Sequence, residues 1–464
     1  MRRLALFTTS VMALLGCTKT NDLYCDGHPG AAGCPDGGGS GVPACKNDDG
    51  CTGNAAGSVC DTAQSKCVQC TSAHDACDKA GTTPICDTTA ETCGACTTDD
   101  QCGTGGFCLP SGACAAATTV IHAASTGTDP QPACGNGTPQ KPCSLDDALT
   151  IAAADPTKKV IQLDDSGSYA SSQPSSFVVK ADVTIEAHTA TFHRRTGGPG
   201  DGPIFTVTGG KAAALLGGTI DGALGINGDG IQCNSSSSLV VRGTTISNST
   251  ESAIDFQNCD VTVVAAKLQS NGNNNLSAGI KSSAGTLTIY QSVIAGNKGG
   301  GLSLNDGTVF KVVGNAIVGN GGNNSPTGGV SINATPTAAG SRLDFNTISS
   351  NQSQSIVGAG VQCAINQFTA EDNIIWNNTP KQLNGCSYAY SVIGPTKVAA
   401  ENDGGNDTEA DPKLAADGFH ITAASSAHQH ANQAADLTGI AAKDVDGDPR
   451  VKPADSGADQ FRAP

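Results

Sequence analysis

Aromatic residues are scarce in this chain, and their scarcity limits what the chain can be. Phe, Trp and Tyr make up 4% of 464 residues, with one Trp and five Tyr, whereas Gly accounts for 59 residues. Thin strands joined by small corner residues fit this composition better than a helical core does. So few rings also limit sugar binding through exposed aromatic platforms.

Basic residues are outnumbered by acidic ones. Lys and Arg total 26 against 42 Asp and Glu, which gives a formal net charge of −16 at pH 7. This field repels DNA and anionic polysaccharides unless divalent cations intervene. We therefore expect no nucleic-acid partner.

No apolar run is long enough to span a bilayer. An apolar stretch at 4–15 follows Arg2 and Arg3 and ends in Leu14-Leu15-Gly16-Cys17. This arrangement is typical of an export signal at 1–16, and it resembles a bacterial lipobox in which Cys17 becomes the lipid-modified first residue. The resemblance implies an exported protein held on the outer membrane, at the cell surface, by its N-terminal lipid. Ordinary signal cleavage with loss of Cys17 is the alternative.

The cysteine content fits an oxidising compartment. Setting aside Cys17 leaves 20 of the 21 cysteines, an even number. After a flexible tether at 17–44, three units of four cysteines start 25 and 26 residues apart. We expect a disulfide-rich stalk at 45–117, where covalent bridges replace an apolar core.

Two CxxC pairs in the stalk, Cys67/Cys70 and Cys93/Cys96, also allow a zinc interpretation. Each pair straddles a unit boundary, and no His-x-x-x-His partner exists, so disulfides are favoured. The last six cysteines fall into local pairs that we predict to be disulfides: Cys134/Cys143, Cys233/Cys259 and Cys363/Cys386.

An apolar residue followed within a few positions by asparagine recurs through the second half of the chain. The asparagines lie 23, 26, 23, 31 and 26 residues apart: Asn248, Asn271, Asn297, Asn320, Asn351 and Asn377. Such a period, with short β-rich runs and Gly/Asn corners, predicts a stacked solenoid. Asparagine suits its corners because it tolerates left-handed backbone angles and its amide can bond the next asparagine. We predict an all-β fold with a parallel β-helix at 159–400.

Both ends of the solenoid are expected to be capped. Ser144 as N-cap, Asp146 and Asp147 in the first turn, and Pro156 as the stop predict a short helix within an N-terminal cap at 118–158. This helix would cover strand edges that otherwise recruit other chains. The tail at 401–464 is expected to cap the other end.

The opening and the tail resemble exported bacterial proteins of the right-handed parallel β-helix, or pectate-lyase-like, superfold. The segment HAASTGTD…KPCSLDDALTIAAA…VIQLDDSGSY is similar to their strand–helix–strand entry. The tail, with DPKLAADGFHI and DVDGDPRVKPADSGADQF, resembles the C-terminal region of the choice-of-anchor Q group. The resemblance implies a right-handed β-helix and leaves activity open, because one fold hosts many functions.

Three aspartates and one arginine are the candidate catalytic residues. Asp221 and Asp229 lie among glycines, and Asp255 follows about one period later. On consecutive coils the carboxylates of Asp229 and Asp255 would stack about 5 Å apart, as a pair for acid/base hydrolysis or for binding calcium. Arg242, Lys267, Lys281 and Arg342 are scattered basic candidates, and Arg242 is the best placed of them, within one period of both aspartates. Alternatively, these aspartates bond their own turns.

Asp444, Asp446 and Asp448 alternate in the tail as the ligands of a calcium loop do. Gly447 is out of place for an EF-hand, however. The alternative is that these aspartates and Arg450 bond the loop backbone and one another.

Two classes of function compete. The first is a non-catalytic, lipid-anchored surface module that presents the β-helix to a glycan or another cell-surface partner. The second is a polysaccharide lyase or glycoside hydrolase that acts on acidic polysaccharide through Asp221, Asp229, Asp255 and Arg242. The scarce aromatics and the absence of the GHG and RIK motifs of the superfold's polygalacturonases favour the first. A groove that holds the aspartates with a basic residue within about 5 Å would favour the second.

Overall fold

The computed structural model describes residues 45–462 apart from short internal stretches. Those stretches are 53, 55, 75, 78–82, 110, 128–133, 135–141, 165, 171–175, 195–201, 224–227, 273–276, 306, 334–339, 355–357, 365–368 and 396–404. The predicted export signal at 1–16, Cys17 and the predicted tether at 17–44 lie outside the described residues. The chain forms two compact units that divide between Cys96 and Thr97.

The first unit contains two hairpins, each held by the disulfides of its own cysteine repeat. Strand β1 (Val59–Asp61) pairs antiparallel with β2 (Lys66–Val68), and β3 (Ile85–Asp87) pairs with β4 (Thr92–Gly94). In each repeat the first cysteine bonds the third and the second bonds the fourth: Cys45–Cys60, Cys51–Cys67, Cys70–Cys86 and Cys77–Cys93. The buried cluster of the first repeat consists of its four cysteines, so covalent bridges stand in for an apolar core.

The third cysteine repeat groups with the second unit. Its hairpin pairs β5 (Phe107–Cys108) with β6 (Cys114–Ala115), and a disulfide joins Cys102 to Cys114. Buried Phe107 packs against Val120 and Val160 of the first solenoid strands. The segment expected to be one stalk at 45–117 is therefore divided, because its last repeat carries an apolar side chain that the solenoid buries.

Helix α1 (Leu145–Ala154) and a set of parallel strands make up the solenoid of the second unit. In chain order the strands are β7 (Val120–Ala123), β8 (Val160–Leu163), β9 (Ser168–Ala170), β10 (Phe177–Val179), β11 (Val183–His193), β12 (Phe205–Val207), β13 (Ala212–Asp221), β14 (Ile231–Asn234), β15 (Ser238–Arg242), β16 (Thr245–Ser247), β17 (Ile254–Val264), β18 (Lys267–Gln269), β19 (Ile280–Tyr290), β20 (Val293–Ala295), β21 (Leu302–Leu304), β22 (Thr308–Val313), β23 (Ala316–Val318), β24 (Val330–Ile332), β25 (Arg342–Asp344), β26 (Thr347–Ser349), β27 (Val361–Cys363), β28 (Thr369–Glu371), β29 (Ile374–Trp376), β30 (Leu383–Asn384), β31 (Ser387–Ala389) and β32 (Val392–Gly394).

Each coil contributes in turn to three parallel sheets, as the all-β prediction required. Sheet 1 contains β10, β12, β14, the first halves of β17 and β19, and then β21, β24, β27 and β30. Sheet 2 runs from β7 and β8 through β15 and β22 to β31, and sheet 3 runs from β9 through β16 and β23 to β32. Inward side chains such as Val241, Val263 and Ile289 lie in register and are fully buried. Their burial stabilises the fold by about 25 cal/mol for each Å² of apolar surface that is removed from water.

A ladder of buried asparagines lines the corner between sheets 3 and 1. Asn271, Asn297, Asn320, Asn351 and Asn378 follow one another, and each Oδ1 accepts hydrogen bonds from the backbone N and Nδ2 of the preceding asparagine at 2.9–3.0 Å. Each Nδ2 also donates to a carbonyl of the preceding coil, as Asn297 does to Leu268 O at 2.9 Å. A second ladder, of Asn315, Asn346 and Asn373, lines the corner between sheets 2 and 3. These bonds satisfy buried polar groups in every coil they cross.

Two of the six repeated asparagines stand one position outside the ladder. Asn248 and Asn377 have φ of 56° and 55°, at the left-handed corner residue, and the neighbouring Ser249 and Asn378 occupy the ladder. Asn248 Nδ2 instead donates to Asp221 Oδ1 at 2.7 Å. Asparagine suits both the left-handed corner position and the adjacent ladder position, for different reasons. The recurrence of asparagine in the sequence therefore does not show which of the two positions it occupies.

Helix α1 lies between the first two strands of the solenoid, and the tail follows the last strand. Ser144 Oγ accepts from Asp147 N at 3.2 Å, and the helix buries Leu145 and Leu149 in the main core. The tail pairs Thr408 with Val392 of the last strand, then runs back along the later coils. Interior disulfides join Cys134 to Cys143, Cys233 to Cys259 and Cys363 to Cys386.

Candidate functional site

An ion pair lies on the outer face of sheet 1. Asp255 on β17 is in register with Gln232 on β14 and with Lys281 on β19. Lys281 Nζ lies 3.1 Å from Asp255 Oδ2, with 44% and 22% of the two side chains exposed. The opposite charges meet because one coil separates them and both side chains point outwards.

Asp229 lies in the corner that leads into β14 and is 1% exposed. Its Oδ1 accepts a hydrogen bond from Ser252 N at 2.9 Å. The register of Ile231 with Ile254 places Asp229 level with Ser252, three positions before Asp255. The sequence predicted that Asp229 and Asp255 occupy equivalent positions on consecutive coils, and this is not the case. The coil is 23 residues long whereas the two aspartates are 26 residues apart, so their carboxylates are offset along the strand direction.

Asp229, Glu251, Asp255 and Lys281, here called the acid–base cluster, influence one another electrostatically. Burial raises the pKa of Asp229 to about 7, and the charges of Asp255 and Glu251 add to the rise, against the hydrogen bond from Ser252. Burial also raises the pKa of Asp255, although Lys281 opposes the rise. Burial lowers the pKa of Lys281, but Asp255 outweighs this and raises it overall. A carboxyl group that titrates near neutral pH beside an ion pair is typical of functional sites.

Asp221 and Arg242 lie away from this cluster. Asp221 ends β13 on sheet 3, where its Oδ1 accepts from Ser247 Oγ at 3.0 Å and from Asn248 Nδ2. Arg242 is exposed at the end of β15 on sheet 2, in register with Leu216 and Val264. Half a coil separates Arg242 on sheet 2 from Asp255 on sheet 1, so the two side chains lie on different faces of the solenoid. The four candidate catalytic residues are therefore not brought together.

Lys281 takes the place in the cluster that sequence reasoning gave to Arg242. It follows Asp255 by 26 residues, which is also the spacing of Asn271 and Asn297. That coincidence with one coil was the signal that could have placed Lys281 ahead of Arg242 among the basic candidates. Glu251 had no comparable signal because it lies in an irregular corner.

Polar side chains continue from the ion pair along the same face. Thr206, Gln232, Asp255, Lys281 and Ser303 stand in register on consecutive strands of sheet 1, each half-buried. A second outward row beside them contains Asn234, Gln257 and Ser283. We call these eight residues the sheet-1 polar face. It offers amides, hydroxyls and one ion pair at about 4.8 Å intervals.

Trp376 is not an exposed platform for sugar. Its side chain is partly buried and packs against the cluster that contains Ile374 of β29 and Ile421 of the tail. The single tryptophan therefore packs the tail against sheet 3.

Asp444, Asp446 and Asp448 do not converge as a calcium loop would require. Asp444 is 1% exposed, and its Oδ1 accepts from Asp446 N at 3.1 Å and from Asp448 N at 2.8 Å. Asp446 Oδ2 instead lies 2.7 Å from His420 Nε2, and Asp448 Oδ1 lies 3.8 Å from Arg462 Nη1. Asp444 thus supports its own turn, which is the alternative that the sequence allowed.

Comparisons with known proteins address the fold. The family model described as "Right handed beta helix region" matches residues 224–398. The solenoid is a right-handed parallel β-helix. Among solved structures, the crystal structure of pectate lyase Pel9A aligns with a TM-score of 0.48 and 14% sequence identity, over 74% of this chain and 96% of that chain. No curated protein matches the chain.

None of the helices within the described residues is long and apolar enough to cross a membrane.

Proposed function

We propose that this protein binds a carbohydrate polymer, without cleaving it, along the sheet-1 polar face. The supporting observation is the unbroken row of outward polar side chains from Thr206 to Ser303, one on each strand. Each can donate or accept hydrogen bonds, and a polymer that spans several rungs gains from repeated weak contacts.

The side chains of the sheet-1 polar face limit the class of glycan that it can bind. With one ion pair and otherwise neutral amides and hydroxyls, it suits a neutral glycan. A chain of net charge −16 disfavours an acidic polymer unless divalent cations bridge the two. Export and attachment through a lipid on Cys17 belong to the same proposal, and they would present this face outside the cell.

A glycan array probed with the mature protein tests the binding. Gln232→Ala and Gln257→Ala remove two side chains from the centre of the face. We expect about thirtyfold weaker binding from the double variant, since each lost hydrogen bond is worth about 1 kcal/mol. Gln269→Ala is the matched control, because Gln269 is an exposed glutamine on sheet 3. Binding that is lost equally with Gln269→Ala, or not lost with the double variant, contradicts the proposal.

Cleavage is the second candidate, and the acid–base cluster is the observation that favours it. Asp229, protonated near neutral pH, has the character of a general acid, and Asp255 beside Lys281 that of a general base or an ionised stabiliser. The substrate class would be a polysaccharide, cleaved by hydrolysis or elimination. We favour binding because Asp229 is almost fully buried and its Oδ1 is occupied by Ser252 N.

Incubation with a panel of neutral and uronate polysaccharides separates the two candidates. Cleavage would release reducing ends, or unsaturated products that absorb in the ultraviolet, with or without calcium. Asp255→Asn and Lys281→Met would abolish that release, whereas Gln269→Ala on sheet 3 would not. Absence of products from every polymer that the array shows to bind leaves binding as the function.

A further inference from the structure

Three side chains of the C-terminal tail converge on one point. One ligand atom from each of His420, Asp446 and Asp459 lies within 4.8 Å of the other two. The three residues come from separate stretches of the tail, so the fold and not a local turn brings them together. The donor set is mixed, with one imidazole nitrogen and two carboxylates.

The two aspartates are positioned by a buried carboxylate that contributes no ligand. Asp444 Oδ1 accepts from Asp446 N at 3.1 Å, and its Oδ2 accepts from Gln460 N at 3.3 Å, next to Asp459. A backbone bond from Val445 N to Ala458 O at 3.0 Å joins the same two turns. The positions of Asp446 and Asp459 are thus fixed by other parts of the tail.

The imidazole of His420 is oriented by an outer carboxylate. Asp417 Oδ2 lies 2.5 Å from His420 Nδ1, which leaves Nε2 to face Asp446 Oδ2 at 2.7 Å. A carboxylate on the far nitrogen of a histidine is the usual arrangement behind a metal-binding imidazole, where it fixes the tautomer and the ring direction.

Asp459 has an oxygen that lacks a hydrogen-bond donor. The residue is 8% exposed, and its Oδ2 accepts from Ile421 N at 2.9 Å. Its Oδ1 receives no hydrogen bond from any residue that the structure describes. Asp459 Oδ1 is therefore available to a further partner, and Asp417, Asp446 and Asp459 together surround a single imidazole. The arrangement leaves negative charge for a cation to neutralise.

We propose that His420, Asp446 and Asp459 bind a divalent transition-metal ion of the zinc type, with Asp417 holding the imidazole. Three protein ligands leave a position for water in a four-coordinate site. The imidazole favours zinc-type ions over calcium, which prefers six to eight oxygen ligands. The ion would join three stretches of the tail and so strengthen its attachment to the β-helix.

Titration of the chelator-treated full-length protein with ZnCl2 by calorimetry tests the site. We expect one zinc ion to bind per chain and to raise the thermal unfolding midpoint. His420→Gln and Asp446→Asn should each weaken zinc binding tenfold or more. Asp448→Asn is the matched control, since Asp448 lies in the same turn but outside the ligand set, and it should bind as the wild type does.

Cobalt supplies a readout that does not depend on stability. Co²⁺ at the site should give visible absorption bands that zinc displaces and that Asp446→Asn, a change at a half-exposed side chain, removes. Zinc affinity unchanged in both His420→Gln and Asp446→Asn, binding of calcium as tight as that of zinc, or no cobalt bands in the wild type would each overturn the proposal.

Discussion

Two buried aspartates are held in places that disfavour their charge. Asp229 and Asp372 are each 1% exposed. Burial raises the pKa of both to about 7, against hydrogen bonds from Ser252 N to Asp229 and from Asn432 N to Asp372. Asp372 lies where the tail meets sheet 2. Burial therefore raises the pKa of one carboxyl group at the candidate site and of another where the tail is attached.

Asp229→Asn should make the protein more stable at alkaline pH. The folded wild type holds a proton on Asp229 that the unfolded chain releases above about pH 4, so wild-type stability falls as pH rises from about 4 to 7 and then levels off. Asparagine does not titrate and keeps an oxygen for Ser252 N. We expect the free energy of unfolding of the variant to exceed that of the wild type at about pH 8, by up to about 4 kcal/mol.

Thermal unfolding followed by circular dichroism at about pH 4 and pH 8 measures this difference, with the acidic condition as the internal control. A gain of the same size at both pH values would show that the proton on Asp229 plays no part. Asp372→Asn should follow the same pattern, and the two effects should add, because they concern separate coils.

For single residues, the sequence predicted which carboxylates lie at the candidate site but not which basic residue lies beside them. Asp229 and Asp255 stand out among glycines and apolar residues, whereas the choice of Lys281 over Arg242 depends on the length of individual coils. Those lengths vary, as the 23 and 31 residues between successive ladder asparagines show. One period drawn from the sequence therefore could not assign side chains to sheets.

Among elements, the asparagine ladder carries the clearest energetic role. Asn297 accepts from Asn271 N and Nδ2 and donates to Leu268 O and Asn320 Oδ1, all buried. Its removal would leave several polar groups without partners inside the corner. The ladder was predictable because an amide can accept from the preceding coil and donate to the next. Its exact position was not predictable, as Asn248 and Asn377 show.

Asn297→Ala should destabilise the β-helix by about 3 kcal/mol or more, since each orphaned buried group costs about 1–3 kcal/mol. Asn248→Gly is the control, because glycine adopts the left-handed corner freely and only an exposed bond to Asp221 is lost. Denaturant unfolding of both variants measures the difference. Similar losses in the two would mean that the ladder contributes no more than an ordinary corner.

For the molecule as a whole, the two units depend on different sources of stability. The first unit buries chiefly its own cysteines, whereas the second encloses one continuous apolar cluster from Ile121 to Ile393. The predicted fold class is confirmed for both the β-helix and the disulfide-rich region. The split within the cysteine-rich segment was not predictable, because it follows from the burial of Phe107 by strands far along the chain.

Reduction of the disulfides should therefore unfold the first unit and leave most of the β-helix intact. Without bridges, the hairpins at 59–68 and 85–94 lack the apolar burial needed to offset chain entropy. Hydrogen exchange in the presence of a reductant measures this, and we expect protection to disappear from those hairpins while β17 and β19 keep theirs. Hairpins that stayed protected, or a β-helix that lost protection at the same time, would contradict this account.

The unequal coils have a practical consequence for engineering. Asn320 and Asn351 keep the same amide contact across 31 residues that Asn297 and Asn320 make across 23. The eight additional residues, of which five precede β24 and three lie between β24 and β25, leave the stacking undisturbed. A foreign peptide grafted between Ile332 and Arg342 would accordingly be displayed at a fixed rung of a rigid scaffold.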